Sequence, residues 1–190
     1  MGSPEAGARK PVRVHIAGLP IRATVAWALL LGLLALVAFG LVRTHQGPIQ
    51  VGTAVPEFRL ETFWGDPIQL ADLRGQVVVI NFWASWCDTC AEEAAVLEQA
   101  YREFRDQGVV FVGVGYVDTR SDALAYLERL GITYPNGPDL GSRISQSFRI
   151  LGVPETYIVD RQGILVDLHI GPYGSLVEIQ EDVEKALAQP

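Results

Sequence analysis

Cys87 and Cys90 are the only thiols of this chain, and they stand three apart in "WASWCDTCAEE", residues 83–93. A C-x-x-C pair can supply half of a metal site, attach a haem, form a structural staple, or cycle between dithiol and disulfide. A structural zinc site needs four ligands and usually a second cysteine pair, which this chain lacks. Of its three histidines, His15 and His45 precede the globular part, leaving His169. Haem attachment needs C-x-x-C-H, and Ala91 follows Cys90. A staple closing so short a loop would constrain the unfolded chain little. The spacing therefore favours redox cycling, with no metal and no cofactor beyond the cysteine pair.

The elements around the pair must position it. "QVVVINFWA", 76–84, is apolar on both faces and reads as a buried strand. Residues 88–107 read as a helix, with Cys90, Ala94, Leu97, Tyr101 and Phe104 as its core stripe and Gly108 as its stop. Cys87 then falls at the strand–helix junction. Unpaired N–H groups and the positive dipole end there favour thiolate. Cys90 lies one turn further in, shielded by the core. Cys87 is expected to attack, and Cys90 to resolve the mixed disulfide.

Elsewhere, "EFRLET" and "DPIQLADLRG" suggest a hairpin, and 109–117 a second buried strand. Ser121 is expected to cap a helix ending at Leu130 and closed by Gly131. "GVPETYIVD", "RQG" and "ILVDLHI" read as strand, turn, strand, and 175–187 as a closing helix. The pattern predicts an α/β layer structure with a mixed sheet.

The net charge is −7, but Arg9, Lys10, Arg13 and Arg22 against Glu5 make residues 1–22 basic by +3, leaving −10 on the rest. An acidic body argues against nucleic-acid binding. Residues 23–42 are 20 positions without a charge, about 30 Å of helix, enough to cross a bilayer. Trp27 suits an interfacial anchor, and the basic cluster places the N-terminus in the cytoplasm. A cleaved signal peptide ending near Ala38-Phe39-Gly40 is the alternative; the long apolar run favours an uncleaved anchor. The expected organisation is a basic cytoplasmic tail (1–22), a transmembrane anchor (23–42), a tether (43–55) and a globular domain (56–190).

"FWASWCDTC" followed some 60 residues later by "GVPETYIVD" resembles the thioredoxin-like domains of the TlpA, ResA and CcmG (DsbE) group. The resemblance covers about 52–187 plus the anchor. It implies a thioredoxin-like fold on a single-pass anchor in the bacterial cytoplasmic membrane, with the domain outside. It also implies a thiol–disulfide oxidoreductase that reduces protein disulfides. The clients it implies are apocytochrome c or its assembly factors, and the electron donor a membrane thiol transporter of the CcdA or DsbD kind. Carried over by position, Cys87 and Cys90 are the redox pair, Pro154 the proline expected to be cis, and Glu93 the acid beside the second cysteine. Glu93 would exchange the Cys90 proton; the plainer account is an acid favoured by the helix dipole. Glu155 and Val153 would lie by the client groove. Trp83 and Trp86 either rim that groove or fill ordinary packing. Asp88 between the cysteines is expected to raise the Cys87 pKa and favour a reductant, unless solvent screens it.

Two other functions fit the pattern less well. A copper-handling chaperone on the same fold would use Cys87, Cys90 and His169, but it resembles a C-x-x-x-C pair with a distal His, one residue longer than here. A peroxiredoxin-type peroxidase needs a lone peroxidatic cysteine, unlike two at one helix start.

Overall fold

The computed structural model describes residues 21–44 and 47–189. The chain divides into two compact units between Gln46 and Gly47. The first contains helix α1, Ile21–Thr44. Among the residues with described side chains, no helix is long and apolar enough to cross a membrane; the last turn of α1 falls outside them. Arg9, Lys10, Arg13, His15 and His45 also lie outside the described residues.

In the second unit β1 (Arg59–Leu60) pairs antiparallel with β2 (Ile68–Gln69), the expected hairpin. The main sheet has the order β5-β4-β3-β6-β7. Its strands are β3 (Val77–Trp83), β4 (Val109–Gly115), β5 (Asn136–Pro138), β6 (Glu155–Val159) and β7 (Leu165–Ile170). β3, β4 and β5 run parallel, while β6 and β7 are antiparallel additions, so the sheet is mixed as expected. Helices α2 (Asp88–Phe104), α3 (Arg120–Leu130), α4 (Arg143–Phe148) and α5 (Leu176–Leu187) complete the unit.

Every residue of β3 is buried. Successive side chains of a strand point to opposite faces. Val77, Val79 and Trp83 accordingly join one core with Leu97 and Phe104 of α2 and Ile179 and Val183 of α5. Val78, Ile80 and Phe82 join the other with Phe148 of α4, Tyr157 and Leu165. A strand covered on both sides needs a near-continuous apolar run, which the sequence provides with Asn81 as the one interruption.

Three boundaries differ from expectation. The expected tether, 43–55, belongs to the globular unit from Gly47 onward. Ile49 and Val55 are buried in the second core, Gly52 N–H donates to Leu165 O, and Leu165 N–H donates to Thr53 O. Paired backbone and buried apolar side chains make this stretch an edge of the domain. Helix α2 stops at Phe104, short of 107; the chain then turns and passes through Gly108 at φ +77. The cap of α3 is Thr119, whose hydroxyl accepts from Asp122 N–H; Ser121 sits inside the first turn. Gly131 closes α3 in the left-handed region, φ +66, as expected.

Candidate active site

β3 delivers the chain to the redox turn, and α2 begins at it. Cys87 is the N-cap of α2, and its sulfur accepts the Cys90 N–H at 3.1 Å. That bond is one of the orphan donors of a helix start, so the N-terminus stabilises negative charge on this sulfur. Thr89 Oγ1 lies 3.4 Å from the same sulfur. Cys87 and Cys90 form a disulfide, S–S 2.08 Å. Cys90 is 1 % exposed, on the inner stripe of α2 with Ala94 and Leu97. Asp88 is exposed in the first turn, so water and salt screen its charge from the sulfur.

The turn before the pair is fastened to the loop after β4. Asp118 accepts from Ser85 N–H at 2.6 Å and from the Ser85 hydroxyl at 2.8 Å. Trp86 Nε1–H donates to Val117 O at 3.0 Å. On the other side, the Val153–Pro154 peptide bond is cis, as the resemblance implied. Val153 O lies 3.7 Å from Cys87 Sγ. A groove of about 320 Å3 opens beside this loop, lined by Thr89, Leu151, Val153, Pro154, Ile170 and Pro172. Gly171 N–H donates to Pro154 O, tying its two walls together.

The two tryptophans separate. Trp83 does not rim a groove: it is 2 % exposed, stacked on Tyr126 at 4.7 Å, with its indole N–H on Asn136 Oδ1 at 2.8 Å. Its place on the strand turns it into the helix-covered core. A Cβ on Gly113 would fall 1.7 Å from that Asn136 oxygen, so only glycine admits this joint. Trp86 is 59 % exposed and lines a second cleft of about 560 Å3 with Val117, Asp118 and Leu140.

Glu155 lines the groove but is buried, and its carboxylate is occupied. It accepts from Leu151 N–H, Gly152 N–H and the Tyr157 hydroxyl, at 2.6, 3.0 and 2.8 Å. It lies by the groove as expected, and its carboxylate holds the loop leading to Pro154. Val153 borders the groove as expected.

Glu93 is 1 % exposed on the inner side of α2. Asn81 Nδ2–H donates to its Oε1 at 2.8 Å, and Tyr173 N–H to its Oε2 at 3.1 Å. Burial pushes its carboxyl up to about 7, against the opposing pull of these two bonds. It can therefore carry or lose a proton near neutral pH. An acid retained only for the helix dipole would sit at the surface, as Glu92 does. Asn81 and Tyr173 were not anticipated. Asn81 carried a signal, as the lone polar residue of an apolar strand; Tyr173 carried none.

His169 of β7 is stacked on Tyr173 at 3.9 Å, with Nε2 3.3 Å from Pro172 O. Among the described residues no group of three or more His, Cys, Asp and Glu side chains is placed to hold a metal.

Comparison with known proteins places this geometry. The profile of the AhpC/TSA family matches residues 51–168. A thiol:disulfide interchange protein DsbE from Allochromatium vinosum is 36% identical over 167 residues, 84% of this chain and 90% of that protein. A thiol-disulfide oxidoreductase ResA from Geobacillus kaustophilus is 28% identical over 163 residues, 84% of this chain and 91% of that protein. Among solved structures, a thiol:disulfide interchange protein of the thioredoxin family from Chlorobium tepidum superposes with a TM-score of 0.66 at 26% identity. That match covers 74% of this chain and 99% of the other. The globular unit thus has a thioredoxin-like α/β fold.

Proposed function

Because the chain belongs to the AhpC/TSA family, and within it is a TlpA/ResA/CcmG-like thiol–disulfide oxidoreductase, we propose that it works as a reductant of protein disulfides outside the bacterial cytoplasmic membrane. Residues 23–42 are the anchor in this reading, with the basic N-terminus in the cytoplasm. The clients are apocytochrome c or a cytochrome-assembly factor, and a CcdA/DsbD-type membrane thiol transporter restores the dithiol. No cofactor is required.

The observation that carries the chemistry is the difference between the two sulfurs: Cys87, at the N-cap and 7 % exposed, accepts a helix N–H, while Cys90, one turn further in, is 1 % exposed. In the reduced protein the Cys87 thiolate attacks one sulfur of the client disulfide. The client's other sulfur leaves as thiolate and takes up a proton. Cys90 then gives its proton to Glu93 and attacks Cys87 Sγ, closing the Cys87–Cys90 disulfide. The second client sulfur leaves and is protonated in turn. Two electrons pass from the protein to the client; the two client thiolates take their protons from solvent, while the Cys90 proton is held by Glu93. Re-reduction by a donor dithiol reverses these steps, with Glu93 returning the proton to Cys90. The groove beside Pro154 would hold the client chain so that its disulfide meets Cys87.

The test is to trap the client. Full-length Cys90→Ser, expressed in cells, should accumulate a mixed disulfide through Cys87 with exported proteins. An apocytochrome c or assembly factor among the trapped chains supports the assignment. Capture of cytoplasmic proteins alone would overturn it.

A further inference from the structure

One buried polar side chain next to the site has no part in the steps above. Asn81 is the only polar residue of β3, and it is 3 % exposed. Its place in the strand turns it toward α2. Its Nδ2 donates twice, to Glu93 Oε1 at 2.8 Å and to Thr156 Oγ1 of β6 at 3.0 Å. The second Glu93 oxygen accepts from Tyr173 N–H.

An ionised carboxylate only accepts hydrogen bonds; once protonated it must also donate one. The partners of a buried carboxyl that gains and loses a proton must serve both states, because an unpaired buried polar atom is costly. Tyr173 N–H can only donate. Asn81 carries both functions on one planar group. A half-turn about Cβ–Cγ exchanges Nδ2 for Oδ1, which then accepts from the protonated carboxyl. The Thr156 hydroxyl can reverse with it, from accepting Nδ2–H to donating to Oδ1.

We propose that Asn81, braced by Thr156, is a positioning residue that gives Glu93 a hydrogen-bond partner in both protonation states. The proposal rests on the reading of Glu93 as the proton partner of Cys90. The other titratable groups facing Glu93 are Tyr126 of α3, Tyr134 ahead of β5 and Tyr173 ahead of α5. Burial raises all three phenols first; the Glu93 charge comes next at Tyr126 and Tyr134, and at Tyr173 Asp182 and Asp167 act ahead of it, so all three stay neutral while Glu93 titrates. On α2 itself Cys90 is held in the disulfide.

The test follows the Glu93 carboxyl directly. The oxidised full-length protein is titrated while difference infrared spectroscopy records the C=O band of the protonated carboxyl that Glu93→Gln removes. In Asn81→Leu, close in size, the midpoint should rise by about one pH unit, tenfold in proton affinity, because the charge-assisted donor lost to the carboxylate outweighs the acceptor lost to the acid. The C=O band itself should shift as the protonated carboxyl loses that acceptor; an unshifted band would limit Asn81 to the ionised state and overturn the proposal. Thr156→Val should raise it by less, and Thr156→Ser should restore the parental value. An unchanged or lowered midpoint in both Asn81→Leu and Thr156→Val would overturn the proposal. If Asn81→Leu does not fold, the Thr156→Val and Thr156→Ser pair decides alone. If no band is lost in Glu93→Gln, the reading of Glu93 itself fails.

Discussion

The two faces of β3 are equally buried but differently furnished. One carries Val78, Ile80 and Phe82 into an aromatic cluster, where Phe148 meets Phe82 at 5.3 Å and Tyr157 at 5.1 Å. The other carries Asn81 toward Glu93 of α2 and Trp83 toward Tyr126 of α3 and Asn136 of β5, so that a carboxylate, an amide and an indole are each hydrogen-bonded. Tight packing needs only the first kind of face. Polar groups on the second cost free energy unless paired, and all of these are paired. The redox turn leaves the strand at the end of the polar-bearing face. The redox pair thus shares its core with the polar-bearing face of the strand, and the opposite face packs without it.

The largest expected effects break this comparison from either side. Cys87→Ser should abolish disulfide exchange while leaving the thermal midpoint of the folded chain close to that of the reduced parent. Phe148→Ala should do the reverse. It empties a fully buried site and should cost about 3–5 kcal/mol in denaturant unfolding, yet its folded fraction should keep the parental rate of exchange. A Phe148→Ala protein as inert as Cys87→Ser, measured where it remains folded, would show that the faces are not separable.

Much of this division was readable in the sequence, for physical reasons. The β-branched runs of β3 and β4 announce strands buried on both faces, and a helix start behind one of them makes a C-x-x-C pair reactive. Burial of individual polar and aromatic side chains was not readable, because it depends on which element covers them. Trp83 and Trp86 look alike in sequence, but strand alternation sends one into the core while the other lies beyond the strand end. Glu155 follows a motif proline, and its carboxylate is consumed by the 151–152 backbone and the Tyr157 hydroxyl. The stretch 131–150 shows no readable period in the sequence because its elements are too short: β5 is three residues and α4 six. Thr119 and Ser121 are both plausible caps by type; the Asp122 N–H selects Thr119.

Glu93 sharpens the comparison through pH. Its folded pKa, raised from 4.5 to about 7, means that the native state binds more protons than the unfolded chain between those values. Its contribution to stability is therefore fully present below about pH 4.5 and lost as pH rises through 7. On the order of 3 kcal/mol is at stake. Denaturant unfolding from pH 4.5 to 8 should show this fall in the parent relative to Glu93→Gln, and an identical pH dependence in both would count against a buried protonatable acid. Replacing the exposed Glu92 by Gln is the control and should change little.

The tryptophans give the smaller effects. Trp83→Phe leaves the buried Asn136 oxygen without its indole donor, so a stability loss of about 1–3 kcal/mol is expected. Trp86→Ala should stay within about 0.5 kcal/mol of the parent, as an exposed substitution. It should raise KM for a protein disulfide while leaving the reaction with dithiothreitol unchanged. Equal stability losses for the two would contradict their different placement.

The central claim is that Cys87 attacks while Cys90 stays enclosed until it resolves. It is tested most directly by alkylating the reduced full-length protein with a limiting amount of iodoacetamide across pH and locating the label by peptide mass spectrometry. The account expects label on Cys87 throughout the folded range, with a thiolate titration below the ordinary thiol value of about 8.5, and label on Cys90 only after unfolding. Label on Cys90 in the folded protein at a rate equal to or above that of Cys87 would contradict it.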